Sequence, residues 1–309
     1  MMEQIITLCA EECDEKKRLD QFIASKCMEL SRSYIQKLIK EEGRVSKNGS
    51  FQVKAKDLIS SGDQIVVSLP DPKTFSIEPQ NIPLDILYED EHILVVNKPK
   101  GMVVHPAAGH YTDTLVNAIM YHCGDHLSGI NGVLRPGIVH RIDKDTTGSL
   151  IVCKNDNAHK CLSDQFRAHT ITRAYHAIVY NNFSEESGTI DKPIGRHPAQ
   201  RKKWKVTEQN GKRAVTHYQV LDHLNKKFNY IECRLETGRT HQIRVHMAHI
   251  RHPLLGDEVY GPENAKFKHL QGQTLHARTL GFIHPTTDEY MEFKAPIPLY
   301  FQDLLKTLK

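Results

Sequence analysis

Beyond residue 90 the sequence is a succession of short apolar segments of strand length, interrupted by two segments whose apolar residues have helical spacing. We expect an N-terminal cap at Asp113 for the first helix and at Asn155 or Asp156 for the second. Because strands and helices do not alternate as regular β–α–β units, the pattern predicts an α+β fold with a mixed, mostly antiparallel sheet. The strand-like segments are HILVVNKP, GIVH, SLIVCK, RAYHAIVY, THYQVLDHL and NYIECRLETG, and the helix-like segments are TDTLVNAIMYH and NDNAHKCLSDQFRAH.

Three of the apolar segments end in polar clusters. Clusters at strand ends commonly converge at one edge of a sheet, so together they predict a functional site. Each cluster taken alone is equally compatible with an ordinary turn rich in glycine and proline. The clusters are VNKPKGMVVHPAAGH at 96–110, VHRIDKDTTG at 139–148 and LETGRTHQIRVHMA at 235–248.

The second cluster places Arg141 and Asp143 two residues apart. On an extended backbone these side chains project to the same side. Opposite charges nearby keep an aspartate ionised, and Arg244 is a second guanidinium that we expect to reach Asp143 from a neighbouring strand. A positioned, ionised carboxylate is what nucleophilic or electrostatic catalysis at a sugar carbon requires.

Basic residues are concentrated in two stretches. Residues 16–56 hold eleven Lys and Arg against four acidic residues, and residues 196–213 hold seven against Glu208. Each stretch alone is compatible with a solvated surface, but two of them favour a polyanionic partner such as nucleic acid. In the second stretch we expect RNA to be gripped by a basic loop around one tryptophan. Its residues are Arg201, Lys202, Lys203 and Trp204.

The N-terminal stretch has a regular internal pattern. RLDQFIASKC predicts one helix, Ser31 is the expected cap of a second that ends at Gly43, and Asn48–Gly49 predicts a hairpin turn. The strings RLD, SRSYIQKLI, GRVSKNG and GDQIVV resemble, in that order, the small RNA-binding module named after ribosomal protein S-four. The resemblance implies a small N-terminal α/β RNA-binding domain at 15–75, followed by a proline-bearing linker at 76–91 and a catalytic domain at 92–309. We expect its basic side chains to contact backbone phosphates. They are Arg18, Arg32, Lys37, Lys40 and Arg44.

Four strings in the catalytic domain, GIVHRIDKDTTG, ITRAYHAIVY, LETGRTHQIRVHMAHIRHPLLGDEVYG and LHARTLGFIHP, resemble the RluA/RluD branch of the pseudouridine synthases. The resemblance implies that Asp143 acts at the glycosidic bond of a target uridine and that Arg244 forms the ion pair orienting it. It implies further that Arg141 holds the place of the flipped-out nucleotide and that Tyr175 packs against its base. The base is detached at its nitrogen and rejoined to the ribose through ring carbon 5. The sequence leaves open whether Asp143 adds covalently or acts as a base in a glycal-type route.

Other chemistries are less well supported. Asp143, Asp145 and Glu236 would suit a two-carboxylate glycosidase, but the first two are sequence neighbours among cations, which does not favour a general acid. The histidines of HQIRVHMAHIRH lack an HExxH pattern, so we expect no metal, and no P-loop or dinucleotide fingerprint implies a cofactor. Seven scattered cysteines without a CxxC pair, no signal peptide and no apolar run long enough for a bilayer indicate a cytoplasmic protein.

We therefore expect an RNA pseudouridine synthase that acts on large-subunit ribosomal RNA, without a membrane partner or a nucleotide cofactor, and as a monomer. Two alternatives stay open at this stage: a catalytically silent RNA-binding or ribosome assembly protein, and a synthase acting on transfer RNA. A large structured RNA is favoured because an enzyme must extrude a stacked uridine, and basic surfaces with a stacking aromatic offset that cost.

Overall fold

The computed structural model describes residues 4–27, 30–40, 44–69, 77–106, 110–124, 126–130, 135–200 and 203–309. The chain divides into two compact units, Met1–Phe75 and Ser76–Lys309. Within the described residues, no helix is long and apolar enough to cross a bilayer.

The first unit packs two helices on a small antiparallel sheet. Its strands have the order β1–β3–β2, so the last strand lies in the middle. Phe22 and Ile23 of the first helix and Ile35 of the second are fully buried against Ile65 and Val67 of β3. The elements are β1 Gln4–Cys9, α1 Leu19–Lys26, α2 Arg32–Lys40, β2 Val45–Lys47 and β3 Gln64–Leu69, with a short 3-10 helix at Glu12–Asp14.

Two local predictions for this unit are confirmed. The backbone N–H of Tyr34 donates to Ser31 Oγ at 3.3 Å, as expected for a cap at the start of α2. Asn48 and Gly49 both have positive φ, at 51° and 80°, which is the conformation of a two-residue hairpin turn. Gly43, the predicted end of α2, lies outside the described residues.

The second unit is built on one large mixed sheet. Among the described residues it has nine strands in the order β4–β5–β6–β13–β7–β12–β11–β8, and β14 pairs with β13. The pair β6–β13 is parallel and the other pairs are antiparallel, which confirms the predicted α+β class. The nine strands are β4 Ile86–Glu89, β5 Ile93–Lys98, β6 Thr147–Cys153, β7 Thr172–Tyr180, β8 Ser187–Asp191, β11 Val215–Leu224, β12 Phe228–Leu235, β13 Leu275–Ile283 and β14 Tyr290–Lys294. A separate antiparallel pair is formed by β9 Ile194–Arg196 and β10 Trp204–Val206.

Helices cover both faces of the sheet. The alternation of side chains in β6 shows the two layers: Leu150 lies in one apolar cluster and Ile151 in another. The first cluster includes residues of α3 and α5, and the second includes residues of α4. The helices are α3 Leu115–Cys123, α4 Asp156–Ala168, α5 Gln242–His249 and α6 Leu299–Thr307, with a 3-10 helix at Ala265–Leu270.

The structure differs from several sequence-based predictions. GIVH is not a strand, because only Ile138 makes an isolated bridge, to Val152. Within the predicted linker 76–91, β4 pairs with β5, so part of that segment belongs to the sheet. The cap of α3 is Thr114 rather than Asp113, whereas Asn155 caps α4 as predicted.

Candidate active site

The loop that carries Asp143 lies immediately before β6 and is fixed from three directions. Within the loop, the N–H of Thr146 donates to the carbonyl of Asp143 at 3.0 Å. From the end of β5, Lys98 Nζ donates to the carbonyl of Lys144 at 2.9 Å. From the approach to β13, Gln273 Nε2 donates to Thr146 Oγ1 at 3.0 Å. These bonds hold the loop from Asp143 to Thr146.

The start of β6 is locked to β13 by close parallel packing. Gly148 has φ 110°, and a Cβ at this position would lie 2.3 Å from the carbonyl oxygen of Ala277, so no other residue fits without displacement. Next to it, Thr147 Oγ1 lies 2.8 Å from Nδ1 of the buried His276. The DTTG segment therefore acts as a scaffold for the loop.

Lys98 is a site residue that the sequence reasoning did not single out. It is 1% exposed, and its ammonium donates to the carbonyls of Pro99, Met102 and Lys144 at 2.8 to 2.9 Å. Burial lowers the pKa of Lys98 to about 7, although Asp145 and Asp143 oppose the shift. The available signal was a lysine two residues after the apolar run ILVV, at the end of a strand-like segment.

Asp143 is held by a guanidinium that is itself held by a second carboxylate. Arg244 Nη1 donates to Asp143 Oδ2 at 2.9 Å. On its other side Arg244 makes a bidentate pair with Asp257, from Nε at 2.7 Å and from Nη2 at 2.9 Å. Arg244 lies on α5, not on a neighbouring strand as the sequence suggested. The two carboxylates and the guanidinium thus form a linear array.

Burial is graded along this array. The side chains of Asp257, Arg244 and Asp143 are 0%, 7% and 20% exposed, so Asp143 is the member most open to solvent. Burial opposes charge on Arg244, but the two carboxylates outweigh it and raise its pKa above the usual value. Burial likewise disfavours the charge on Asp257, yet the Arg244 hydrogen bonds lower its pKa. Both inner groups are therefore ionised.

His241 is a second neighbour of Asp143. Its Nε2 lies 3.8 Å from Asp143 Oδ1, and burial lowers its pKa despite that carboxylate. The Tyr260 hydroxyl accepts a hydrogen bond from the backbone N–H of Trp204 at 2.9 Å. The hydroxyl in turn donates its own proton to His241 Nδ1, also at 2.9 Å. The neutral imidazole then carries its proton on Nε2 and faces Asp143 with a donor.

An open cleft of about 380 Å³ leads to Asp143. Arg141, Tyr175 and Arg244 line it together with Asp143, so the structure brings together the four residues that the sequence analysis placed around the target nucleotide. His241, which was not predicted, lines the same cleft. Arg141 is exposed, and Tyr175 is 8% exposed. The cleft thus offers a carboxylate, an exposed guanidinium and an aromatic ring to one ligand.

Two of the five predicted RNA-binding residues of the first unit, Arg18 and Arg32, belong to an ionic cluster around Asp20. Arg18 Nε and Arg32 Nε lie 3.1 and 2.9 Å from the carboxylate of Asp20, which is fully buried and also accepts from Gln36. These hydrogen bonds outweigh the effect of burial and lower the pKa of Asp20 to about 2. The two arginine side chains remain 42% and 46% exposed. Lys37 and Lys40 are exposed on α2, and Arg44 is half-buried at the entrance to β2.

The predicted basic loop is described in part. Arg201 and Lys202 lie outside the described residues, and Lys203 is half-buried. The ring of Trp204 lies in β10 against Ile194 and Val245, with the Arg196 guanidinium 5.4 Å from its centroid. The indole is therefore already stacked by an arginine.

Two residues considered for the alternative chemistries, His246 for a metal site and Glu236 for a glycosidase, have hydrogen-bond partners within the protein. His246 hydrogen-bonds to Thr216 Oγ1 and to the carbonyl of Lys192, and Glu236 pairs with His217 at 2.8 Å. Within the described part of the chain, the one group of three potential metal ligands is Glu11, Cys13 and Asp14, in the first unit.

Comparisons with known proteins agree with this geometry. Residues 92–249, which include Asp143, Tyr175 and Arg244, match the family described as RNA pseudouridylate synthase. The chain is 52% identical over 304 residues to the uncharacterized RNA pseudouridine synthase YlyB of Bacillus subtilis, covering 98% of each protein. It is 49% identical to the ribosomal large subunit pseudouridine synthase D of Zymomonas mobilis, covering 94% of this chain and 93% of that protein.

Solved structures are similar in fold. Human RNA pseudouridylate synthase domain containing 4 superimposes with a TM-score of 0.55 at 27% identity, covering 72% of this chain and 92% of the human one. Human RNA pseudouridylate synthase domain containing 1 gives a TM-score of 0.56 at 24% identity, covering 77% and 97%. The family match spans half of the chain, and the relatives cover nearly all of it. The chain therefore belongs to the RNA pseudouridylate synthase family and is an isomerase that converts uridine in RNA to pseudouridine.

Proposed function

We propose that this protein modifies specific uridines of large-subunit ribosomal RNA, with Asp143 as the catalytic carboxylate. The observation that carries the assignment of Asp143 is its position at the accessible end of the Asp257–Arg244–Asp143 array. The proposed RNA substrate is supported by the relative from Zymomonas mobilis, which is named for the ribosomal large subunit.

The array suits the chemistry of the isomerisation. The glycosidic bond from ring nitrogen 1 to the ribose breaks, and a bond forms from ring carbon 5, which gives up its proton while nitrogen 1 gains one. Asp143 either adds to the sugar carbon or removes a sugar proton on the way to a glycal, and both routes begin from an ionised carboxylate. Arg244 supplies the opposite charge and fixes the direction of the carboxylate, because the guanidinium is itself immobilised by Asp257.

The remaining cleft residues hold the nucleotide. The exposed guanidinium of Arg141 takes the space that the flipped nucleotide leaves in the RNA. Tyr175 packs its ring against the extruded uracil, and burial raises the pKa of its hydroxyl, so the ring remains neutral. No cofactor enters this scheme.

We further propose that the first unit is an S-four-type RNA-binding domain that anchors the enzyme on structured RNA. Its exposed cations on and beside α2 support this role. The protein would act as a monomer in the cytoplasm, where ribosomal RNA is modified.

The test compares pseudouridine maps of ribosomal and transfer RNA from cells with and without this protein. In cells without the protein, we expect specific positions of large-subunit ribosomal RNA to lack pseudouridine. Expression of the wild-type protein should restore it, and expression of Asp143→Asn should not. Loss confined to transfer RNA would overturn the proposed substrate. Unchanged maps in the deletion strain would favour an RNA-binding protein without catalytic function.

A further inference from the structure

A second groove, of about 1130 Å³, adjoins the catalytic cleft and shares Arg141, Tyr175, Leu235 and Arg239 with it. Its lining includes four arginines and, among the described residues, no carboxylate. The four are Arg141, Arg167, Arg173 and Arg239. A concave surface with this charge favours an anion.

Arg173 lines this groove without a carboxylate partner among the described residues. It precedes Tyr175 by two residues on β7, so both side chains face the same side of the sheet. Its Nη2 donates to the carbonyl of Glu236 at 3.2 Å, and its guanidinium lies 5.7 Å from the ring of Phe166. Its Nε is buried and has no hydrogen-bond partner, and no carboxylate among the described residues lies within ion-pair distance.

Two other arginines near the sheet do have carboxylate partners. Arg244 has two carboxylates, and Arg167 has Asp164 at 2.6 Å. A buried cation without a carboxylate is unfavourable unless a ligand supplies the negative charge. Burial accordingly lowers the pKa of Arg173.

We infer that the groove beside the catalytic cleft is a phosphate subsite, in which Arg173 binds a backbone phosphodiester of the RNA next to the target uridine. This inference rests on the proposed function. A phosphodiester fits because a planar guanidinium binds phosphate through two parallel hydrogen bonds. The source is RNA rather than free phosphate, because the groove is continuous with the cleft that receives the uridine.

The absence of a side chain at Gly238 leaves room for the Arg173 guanidinium in the groove. A Cβ on Gly238 would lie 2.6 Å from Arg173 Nη1, so alanine here would push the tip of the arginine aside. The backbone of Gly238 is not in the left-handed region, so alanine adds no backbone strain. Gly238→Ala therefore tests the position of the guanidinium without removing its charge.

The experiment uses the full-length protein and large-subunit ribosomal RNA made by transcription, which carries no modification. For Arg173→Gln we expect KM and Kd to rise about tenfold, kcat to change less, and the salt dependence of binding to fall by about 0.7 to 0.9 in log–log slope, as for one lost phosphate contact. Arg173→Lys restores the slope but only part of the affinity, and Gly238→Ala resembles a mild form of Arg173→Gln. The matched control is Arg278→Gln, a half-buried arginine of β13 that hydrogen-bonds to the Ala295 carbonyl and lies outside both grooves.

Thermal unfolding separates a binding role from a structural one. Arg173 is half-buried and lacks a carboxylate partner among the described residues, so removing its charge should leave the Tm of Arg173→Gln nearly unchanged or raise it. A lowered Tm with unchanged Kd and salt slope would overturn the inference. Adding inorganic phosphate at matched ionic strength should change the Tm of the wild type and of Arg173→Gln by the same amount. An increase in Tm that occurs only in the wild type would overturn the assignment to RNA.

Failure of the proposed function gives a different result. If the wild type formed no pseudouridine in this RNA, the substrate proposal would fail, but the salt slopes of Arg173→Gln and Arg278→Gln on ribosomal and transfer RNA would still decide the subsite.

Discussion

Arg244 binds the buried Asp257 through two hydrogen bonds, at 2.7 and 2.9 Å, and thereby presents its remaining Nη1 to Asp143. The bidentate pair fixes the plane of the guanidinium, which a single ion pair to Asp143 would not do. Asp257 in turn accepts the backbone N–H groups of Val259 and Tyr260 at 2.9 and 3.1 Å. The direction of the Asp143 carboxylate is therefore set by a turn more than one hundred residues away in the chain.

Asp143→Asn should abolish activity while the protein remains folded. The amide can neither attack nor take a proton, so we expect kcat to fall by at least about 10³-fold. The fold should tolerate the change because Arg244 keeps its pair with Asp257. Pseudouridine formation in transcribed RNA and the thermal Tm, measured on the same preparations, check both parts. Activity within tenfold of the wild type would refute the assignment.

Asp257→Asn should lower the stability of the protein more than Asp143→Asn does, and its activity less. It leaves Arg244 with Asp143 as its one carboxylate in the described structure, and breaking a buried pair from one side costs about 3 kcal/mol of unfolding free energy. We expect kcat to fall about tenfold to a hundredfold because Asp143 loses its fixed direction, with little change in KM. Urea unfolding and steady-state kinetics test the contrast with Asp143→Asn. Full activity in a destabilised Asp257→Asn would show that the orientation of Arg244 is not needed.

The periodicity of the sequence predicted much of the second unit. The helices α3 and α4 and the strands β5, β6, β7, β11 and β12 lie where apolar spacing placed them. The central strand β13 was not among the predicted strands, because LHARTLGFI carries His276 and Arg278 in its middle. His276 is compatible with a buried strand only because Thr147 and the Ala295 carbonyl satisfy its two nitrogens. Such partners come from the tertiary fold and cannot be read from local pattern.

The candidate site shows the same limit. Motifs placed Asp143, Arg141, Tyr175 and Arg244 in one list, and the structure places them in one cleft. Asp257 was not singled out because it lies in a loop, 13 residues beyond Arg244, and only the packed structure shows which cation it faces. GIVH was read as a strand because it is apolar, but its backbone makes a single bridge. Burial drives apolar residues inward without requiring a ladder.

Asp20→Asn in the first unit should weaken RNA binding without a direct contact to RNA. The buried carboxylate holds Arg18 and Arg32 side by side, and without its charge both arginines would lose their fixed direction. We expect Kd for large-subunit ribosomal RNA to rise about threefold to tenfold, because the entropy cost of ordering two long side chains then reduces the binding free energy. Kd measured by fluorescence anisotropy, and kcat at saturating RNA, which should not change, provide the test.

Asp14→Asn is the matched control for this prediction. Asp14 is also buried in the first unit and ion-paired with two cations, Lys17 at 2.7 Å and Lys26 at 3.1 Å. Both variants should lower the stability of the unit, but only Asp20→Asn should lower the affinity for RNA. Equal losses of affinity in the two variants would mean that the effect comes from unfolding of the unit.

His276 should make the stability of the protein fall in mildly acidic solution. Burial lowers its pKa to about 4, against about 6.5 in an unfolded chain, so between these pH values the unfolded state binds the extra proton. The contribution of the neutral imidazole to the unfolding free energy is therefore complete above pH 6.5. It decreases by up to about 3 kcal/mol as the pH falls to 4. In His276→Gln the amide can accept from Thr147 and donate to Ala295, but it does not titrate. We expect the difference in unfolding free energy between wild type and variant to be largest at pH 7 and to shrink steadily toward pH 4. A difference that stays constant over this range in urea unfolding would show that His276 is not protonated on unfolding.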